Sequence, residues 1–285
     1  MRRSVWIGII AGVATGLLAA SQPIGAATAL RPVFTAEICR AHPPRLDHAW
    51  AAAIQYAAPG AVIGVADTAI SNADHAELLF KLGLLQGHLM VGRELIEANQ
   101  VRLALPHFGH PIRELYDDIA SELKRRGITG FDGELIALEA LAAGKPRDPA
   151  TMAKYDEVLR VIAAVRATVP SGLLDSEPFM LGVLGEVVTI GAEDYGQSIE
   201  GNRITKPVEY HDSRGYLAYA NRELARLEAR PELKGSPRLA AVRARLAEMQ
   251  AIVGPLLPPA APIKTVAQYK AIVAQFKEAA KAGAT

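Results

Sequence analysis

Cysteine is almost absent from this sequence, and its scarcity excludes several kinds of site. Cys39 is the only cysteine among 285 residues. A single thiol cannot form an intramolecular disulfide, a CxxC redox pair, a CxxCH haem attachment or a cysteine-rich zinc site. We therefore expect the fold to be held together by its apolar core.

Net charge is also close to zero. The chain carries 31 basic and 30 acidic residues, a formal net charge of +1. Nucleic-acid-binding proteins have a basic surface, and proteins that bind anionic membranes use one as well. This composition predicts neither type of partner, and no nucleic acid is expected to bind.

A long hydrophobic run occurs only at the N-terminus. A short basic start, residues 1–4, precedes the apolar run 5–20 and the small residues Ala27-Thr28-Ala29. This layout is typical of a secretory signal peptide, residues 1–29, with cleavage after Ala29. The run is shorter than the ~20 residues of a membrane span, and an uncleaved anchor is the alternative. We expect a periplasmic or secreted protein without a membrane span after cleavage.

The motifs of common enzyme classes are missing. The sequence contains no Gly-x-Ser-x-Gly elbow, no HExxH and no EF-hand loop. The glycine-rich stretch GVLGEVVTIG (182–191) lacks the lysine-serine ending of a phosphate-binding loop. The protein is therefore not expected to be an enzyme.

What the sequence does have is helical periodicity. Apolar residues recur at helical spacing in segment 72–98, and Ser176 with Pro178, and later Pro207, mark further helix starts. No alternating strand pattern has a useful length, so the predicted fold class is all-α. The stretch TVPSGLLDSEP (168–178) interrupts the periodicity.

This interruption divides the predicted fold into two tandem antiparallel helical bundles. The first covers residues 30–172 and contains a histidine-rich hairpin, and the second covers residues 173–285. Region 40–70 fits either a complete helix or part of one before Pro59, and it stays open.

Two histidines three residues apart are the strongest metal-binding signal. His107 and His110 lie in LPHFGHPIRE, with Glu114 four residues further on. Two imidazoles and a carboxylate suit iron, with copper or zinc as alternatives. On a straight helix the three would face away from the apolar side, so a shared site requires Pro111 to kink the helix and turn them inward. Otherwise they are polar residues that face water at a helix entry.

His88 lies near the middle of the apolar arc of the first helix. A buried imidazole has to make a hydrogen bond or bind a metal, because leaving it unpaired costs about 1–3 kcal/mol. It is either a core histidine bonded to a carbonyl or carboxylate, or a further ligand if the kink brings the other two histidines inward.

A second candidate site for a cation lies later in the chain. Glu209, His211 and Asp212 fall near a predicted helix N-terminus, and Glu193-Asp194 stand in the preceding helix. Together they predict a carboxylate-rich cation site. The alternative is that the acids only complement the helix dipole and hold the preceding turn.

The histidine stretch also fits a function without metal. Gly92 and Leu95, followed by Ala104 and Phe108, have the spacing of one tetratricopeptide-type helical hairpin. Small residues in such a hairpin let the helices approach closely, and its surface binds a peptide. The alternative function is therefore a helical scaffold that binds a partner protein or peptide.

The stretch GAEDYGQSIEGNRITKPVEYHDSRGY (191–216) resembles the extracytoplasmic helical module of oxidase-dependent iron permeases. The resemblance covers roughly residues 176–280, including a proline pair, Pro258-Pro259, before the last helix. The residues that carry the motif are Asp194-Tyr195, Ile199, Gly201, Ile204, Glu209-Tyr210 and Asp212.

This resemblance implies a role in iron uptake or handling. It implies an accessory module and not transport itself, and a membrane metal transporter or another periplasmic protein as the partner. The two-bundle layout is also similar in architecture to the imelysin-like group of exported helical proteins linked to iron uptake.

Overall fold

The computed structural model describes residues 70–282, and most of these form α-helix. The predicted signal peptide, Cys39 and residues 40–69 lie outside the described residues. The helices are α1 (Asn72–Glu97), α2 (Val101–His110), α3 (Tyr116–Arg125), α4 (Asp132–Gly144), α5 (Pro149–Arg166), α6 (Ser171–Asp175), α7 (Glu177–Gln197), α8 (Pro207–Glu228), α9 (Pro237–Ile252) and α10 (Val266–Lys281). A π turn (Pro111–Leu115) and a 3₁₀ turn (Pro231–Leu233) complete the helical elements, and β1 (Ile199–Glu200) pairs antiparallel with β2 (Arg203–Ile204).

Local side-chain chemistry explains where several helices begin. The Ser71 hydroxyl accepts a hydrogen bond from the Asp74 backbone N–H, while the Asp74 carboxylate accepts one from the Ser71 N–H, which forms a capping box. Ser176 caps α7 in the predicted way, with Pro178 in the first turn. Pro207 stands at the start of α8, where its missing N–H costs nothing.

The all-α prediction is confirmed, because the only strands in residues 70–282 are the two-residue pair β1 and β2. The arrangement as two tandem bundles is not confirmed. α1 from the predicted first bundle packs along α8 from the second and also touches α7. Residues 70–282 all belong to one compact unit, so helices from both sides of the interruption contribute to one core.

Two glycines allow α1 and α8 to approach each other closely. A Cβ added to Gly215 would overlap the carbonyl group of Gly87, and one added to Gly87 would lie 2.5 Å from Cδ1 of Tyr216. Only glycine fits where two helix backbones come this near. This contact places His88, the next residue on α1, opposite the first turns of α8.

The helix through the histidine stretch changes from α to π geometry at Pro111, the residue at which the sequence allowed a kink. α2 ends at His110, the π turn follows directly, and α3 begins at Tyr116. Pro111 has no N–H to donate to the carbonyl of His107, so a regular α-turn loses a bond at this point. π turns inside α-helices are frequently found at functional sites. His107 is fully buried here and does not face water.

Candidate metal centre

Four helices contribute polar side chains to one cluster in the core, called the Asp212 cluster below. α1 and α2 supply histidines, α7 supplies a carboxylate, and α8 supplies carboxylates and a histidine. Its members are His88, His107, His110, Asp194, Glu209, His211 and Asp212. All are buried except His110, which is slightly exposed.

The Asp212 carboxylate is at the centre of the cluster. Its Oδ1 lies 2.6 Å from Nδ1 of His88 and 2.8 Å from Nδ1 of His107. Its Oδ2 lies 3.8 Å from Nδ1 of His110. One fully buried carboxylate therefore contacts three imidazoles that come from two other helices.

The contact between His88 and Asp212 is close but is not aligned as a hydrogen bond. Nε2 of His88 lies 2.9 Å from the Tyr216 hydroxyl, whereas Nδ1 has no hydrogen-bond partner despite its 2.6 Å distance from Asp212. Two ligands at right angles on one ion, with bonds of about 2.1 Å, lie about 3 Å apart. The ring nitrogen and the carboxylate oxygen thus have roughly the spacing of two ligands of a shared ion.

Unsatisfied polar atoms are concentrated in this cluster. Within residues 70–282, all but one of the buried side-chain atoms without a hydrogen-bond partner belong to it. They are His88 Nδ1, His107 Nε2, His110 Nδ1, Glu209 Oε2, His211 Nδ1 and Asp212 Oδ2. Each such atom costs about 1–3 kcal/mol, and native proteins contain only a few per 100 residues. A bound cation would satisfy several of these lone pairs at once.

His211 is held in one orientation from outside the cluster. Its Nε2–H donates to the carbonyl oxygen of Leu256 at 2.9 Å, which leaves Nδ1 as the nitrogen with the lone pair. Its ring centroid lies 5.5 Å from that of His107. Burial, and then the neighbouring His107, lower the pKa of His211 to about 4. A neutral imidazole whose second nitrogen bonds a backbone carbonyl is a common form of metal ligand.

Carboxylates form a second side of the cluster. One ligand oxygen from each of Asp194, Glu209 and Asp212 lies within 4.8 Å of the others. Burial and then the Asp212 charge raise the pKa of Asp194 well above its usual value and that of Glu209 to about 7. Burial would also raise the pKa of Asp212, but His88 and His107 outweigh it and hold that pKa well below its usual value.

The predicted group of His107, His110 and Glu114 is brought only partly together. The ring centroids of His107 and His110 are 6.3 Å apart, and Glu114 Oε2 lies 3.8 Å from His110 Nδ1. The acid nearest the imidazoles is Asp212. The three residues whose ligand atoms all lie within 4.8 Å are His88, His107 and Asp212.

The two predicted sites are therefore one cluster. His88 joins it, as the sequence allowed if the helix turned inward, and Asp212 links the histidines to Glu209. Glu209 also stands in the first turn of α8, where it complements the helix dipole, so the alternative that the acids only complement the helix start stays open for that residue. Sequence reasoning missed the central position of Asp212. The Gly87 and Gly215 pair was the available signal, but it could not be matched without the packing of α1 on α8.

The second half of the chain matches a known domain family. Residues 170–284 match the family model of the iron permease-associated 4-helix bundle domain, which confirms the resemblance seen in the sequence. The matched segment contains Asp194, Glu209, His211 and Asp212, whereas His88, His107 and His110 precede it. No curated protein and no solved structure matches the chain.

None of the helices in residues 70–282 combines the length and the apolar character that crossing a membrane requires.

Proposed function

We propose that this protein binds a transition metal, iron first and copper or zinc as alternatives, in a metal-uptake or metal-handling pathway. The match of residues 170–284 to an iron permease-associated domain supports the pathway. The Asp212 cluster supports the binding. The signal-peptide-like start supports a periplasmic or secreted location, with a membrane metal transporter or another periplasmic protein as partner.

A single observation supports metal binding most strongly: two imidazole nitrogens approach Asp212 Oδ1 within 2.8 Å in a fully buried setting. Imidazole and carboxylate donors suit iron, copper and zinc. In this proposal His88, His107 and Asp212 are the first ligands. The remaining candidates around them are His110, Glu114, Glu209 and His211.

The proposed role is metal binding for uptake or handling, not catalysis. The ligands come from helices on both sides of the sequence interruption, and the Tyr216 hydroxyl and the Leu256 carbonyl hold two of the imidazoles in place. Positioned donors of this type set the affinity and geometry of a metal site. The alternative, a scaffold that binds a peptide on the α1–α2 hairpin, requires no metal.

Thermal melting of the chain with Fe²⁺ (under anaerobic conditions), Cu²⁺ or Zn²⁺ tests this proposal. An ion that binds only the native state should add about 2.7 kcal/mol of stability at a hundredfold excess over its Kd. The double substitution His107→Ala/His110→Ala should remove most of that increase. His107→Gln is the milder companion, and circular dichroism checks that each variant is folded.

His75→Gln is the matched control, because His75 is a buried histidine that contacts Arg126 and not the Asp212 cluster. This control should retain the full stabilisation. Equal stabilisation of the double variant and the wild-type chain by every metal, or no stabilisation of the wild-type chain by any of them, would contradict the proposal.

A further inference from the structure

We propose that the Asp212 cluster is a two-metal centre in which Asp212 bridges an imidazole subsite and a carboxylate subsite. This inference rests on the proposed function and specifies the site more closely. His88 and His107 form the imidazole subsite, and Asp194 and Glu209 form the carboxylate subsite.

The ligand atoms of the proposed centre fall into two groups that share one residue. The five residues form two overlapping groups of three: His88, His107 and Asp212 in one, and Asp194, Glu209 and Asp212 in the other. Within each group the ligand atoms all lie within 4.8 Å of one another. Asp212 is the only member of both groups, which is the position of a bridging carboxylate.

The size of a coordination sphere limits how far apart the ligands of one ion can lie. Two opposite ligands of one ion with bonds of about 2.1 Å are at most about 4.2 Å apart. Each group of three fits around one ion after small side-chain movements. Two such ions on a shared carboxylate would have the spacing of about 3.5–4 Å that is common to two-metal sites.

Two buried carboxylate oxygens of the cluster lack a partner in residues 70–282 that would compensate them. Oδ2 of Asp212 and Oε2 of Glu209 have no hydrogen-bond partner within the described part of the chain, and both residues are at least nine-tenths buried. Neither residue forms an ion pair with a lysine or arginine among residues 70–282; the ion-pair contacts of Asp212 there are all with histidines. A buried carboxylate without a cationic partner is energetically costly. A second cation would compensate the carboxylate charge that the imidazoles leave uncompensated.

The two subsites differ in the chemistry of their donors. Imidazole nitrogens suit iron, copper and zinc, whereas an oxygen-rich group suits manganese and harder ions. Fe²⁺ and Mn²⁺ accept both kinds of donor, so a divalent ion of this class is expected to occupy both subsites.

Mn²⁺ titration of the full chain, followed by metal counting and electron paramagnetic resonance, tests the bridge. We expect two Mn²⁺ per chain at saturation and the spectrum of an exchange-coupled pair. One Mn²⁺ with an uncoupled spectrum overturns the two-metal centre and leaves the proposed function standing. If neither Mn²⁺ nor Fe²⁺ binds, the two-metal centre fails; if Cu²⁺ and Zn²⁺ do not bind either, the proposed function fails with it.

Isosteric variants assign the ions to subsites. Asp194→Asn/Glu209→Gln should bind one Mn²⁺ with no coupling, and Asp194→Asn alone provides a second, milder variant. The control variant Asp117→Asn/Asp118→Asn makes the same chemical change at two exposed acids on α3. It should bind two Mn²⁺ ions. Circular dichroism establishes that each variant is folded. Two coupled ions in the folded Asp194→Asn/Glu209→Gln variant would overturn the assignment.

Discussion

At the scale of single residues, the buried histidines of residues 70–282 differ in the charge that they face. His88 and His107 face the Asp212 carboxylate. His75 faces a cation instead, since its Nδ1 lies 3.0 Å from a guanidinium nitrogen of Arg126. Burial, and then the Arg126 charge, lower the pKa of His75 to about 4. His75 is therefore neutral in the folded chain at pH values where an unfolded histidine is charged.

The shift at His75 makes the stability dependent on pH. Between pH 6.5 and about 4 the unfolded chain takes up a proton at this residue and the folded chain does not, so stability falls as the pH falls. His75→Gln removes that contribution. Urea unfolding at pH 7 and pH 4.5 should show the wild-type chain losing about 1–2 kcal/mol more than the variant between these two pH values. An equal loss in both chains would show that His75 can be protonated in the fold.

At the scale of helices, the approach of α1 to α8 sets the geometry of the site. Gly215→Ala would place a methyl group against the backbone of Gly87 and push the helices apart. We expect a loss of about 1–3 kcal/mol in the free energy of unfolding, together with weaker metal binding because His88 moves away from Asp212. Urea unfolding and metal titration measure the two effects.

Gly133→Ala is the matched control for this substitution. Gly133 lies in the exposed first turn of α4, and an added Cβ would meet nothing within 4 Å. This control should be neutral or stabilising by about 0.4–1 kcal/mol. A folded Gly215→Ala chain with unchanged stability would mean that the two helices are not fixed at this distance.

Helix boundaries could be predicted where the signal is local. Ser176, Pro178 and Pro207 mark helix starts through side-chain capping and the fixed φ of proline, and the structure places helix starts there. The interruption at Pro111 was also predictable, because proline removes a backbone donor. α4 was not predicted: no side chain caps its start, so the sequence carries no comparable local signal there.

At the scale of the whole molecule, the site depends on contacts between distant parts of the chain. Asp212 is 105 residues from His107, and Tyr216 is 128 residues from His88. Spacing in the sequence predicted the histidine group and the acidic group as two separate candidate sites. It could not show that the two groups lie side by side, because the packing of α1 and α2 on α8 brings them together. For the same reason the predicted partner of the histidines was the local Glu114 and not Asp212.

The match to the iron permease-associated 4-helix bundle domain begins at residue 170, so it covers only one half of the cluster. The histidines from α1 and α2 complete it from outside that domain. A metal held between them would link the two parts of the sequence, and its binding would stabilise the fold of the whole described region.

Anaerobic calorimetric titration of Fe²⁺ into the wild-type chain and into Asp212→Asn tests the central claim most directly. The substitution keeps the size of the side chain and removes the one charge that both halves of the cluster share. We predict that Asp212→Asn weakens Fe²⁺ binding by at least about 10–100-fold, while the exposed control Asp117→Asn binds as the wild-type chain does. Equal affinity in a folded Asp212→Asn chain would contradict a metal centre at Asp212.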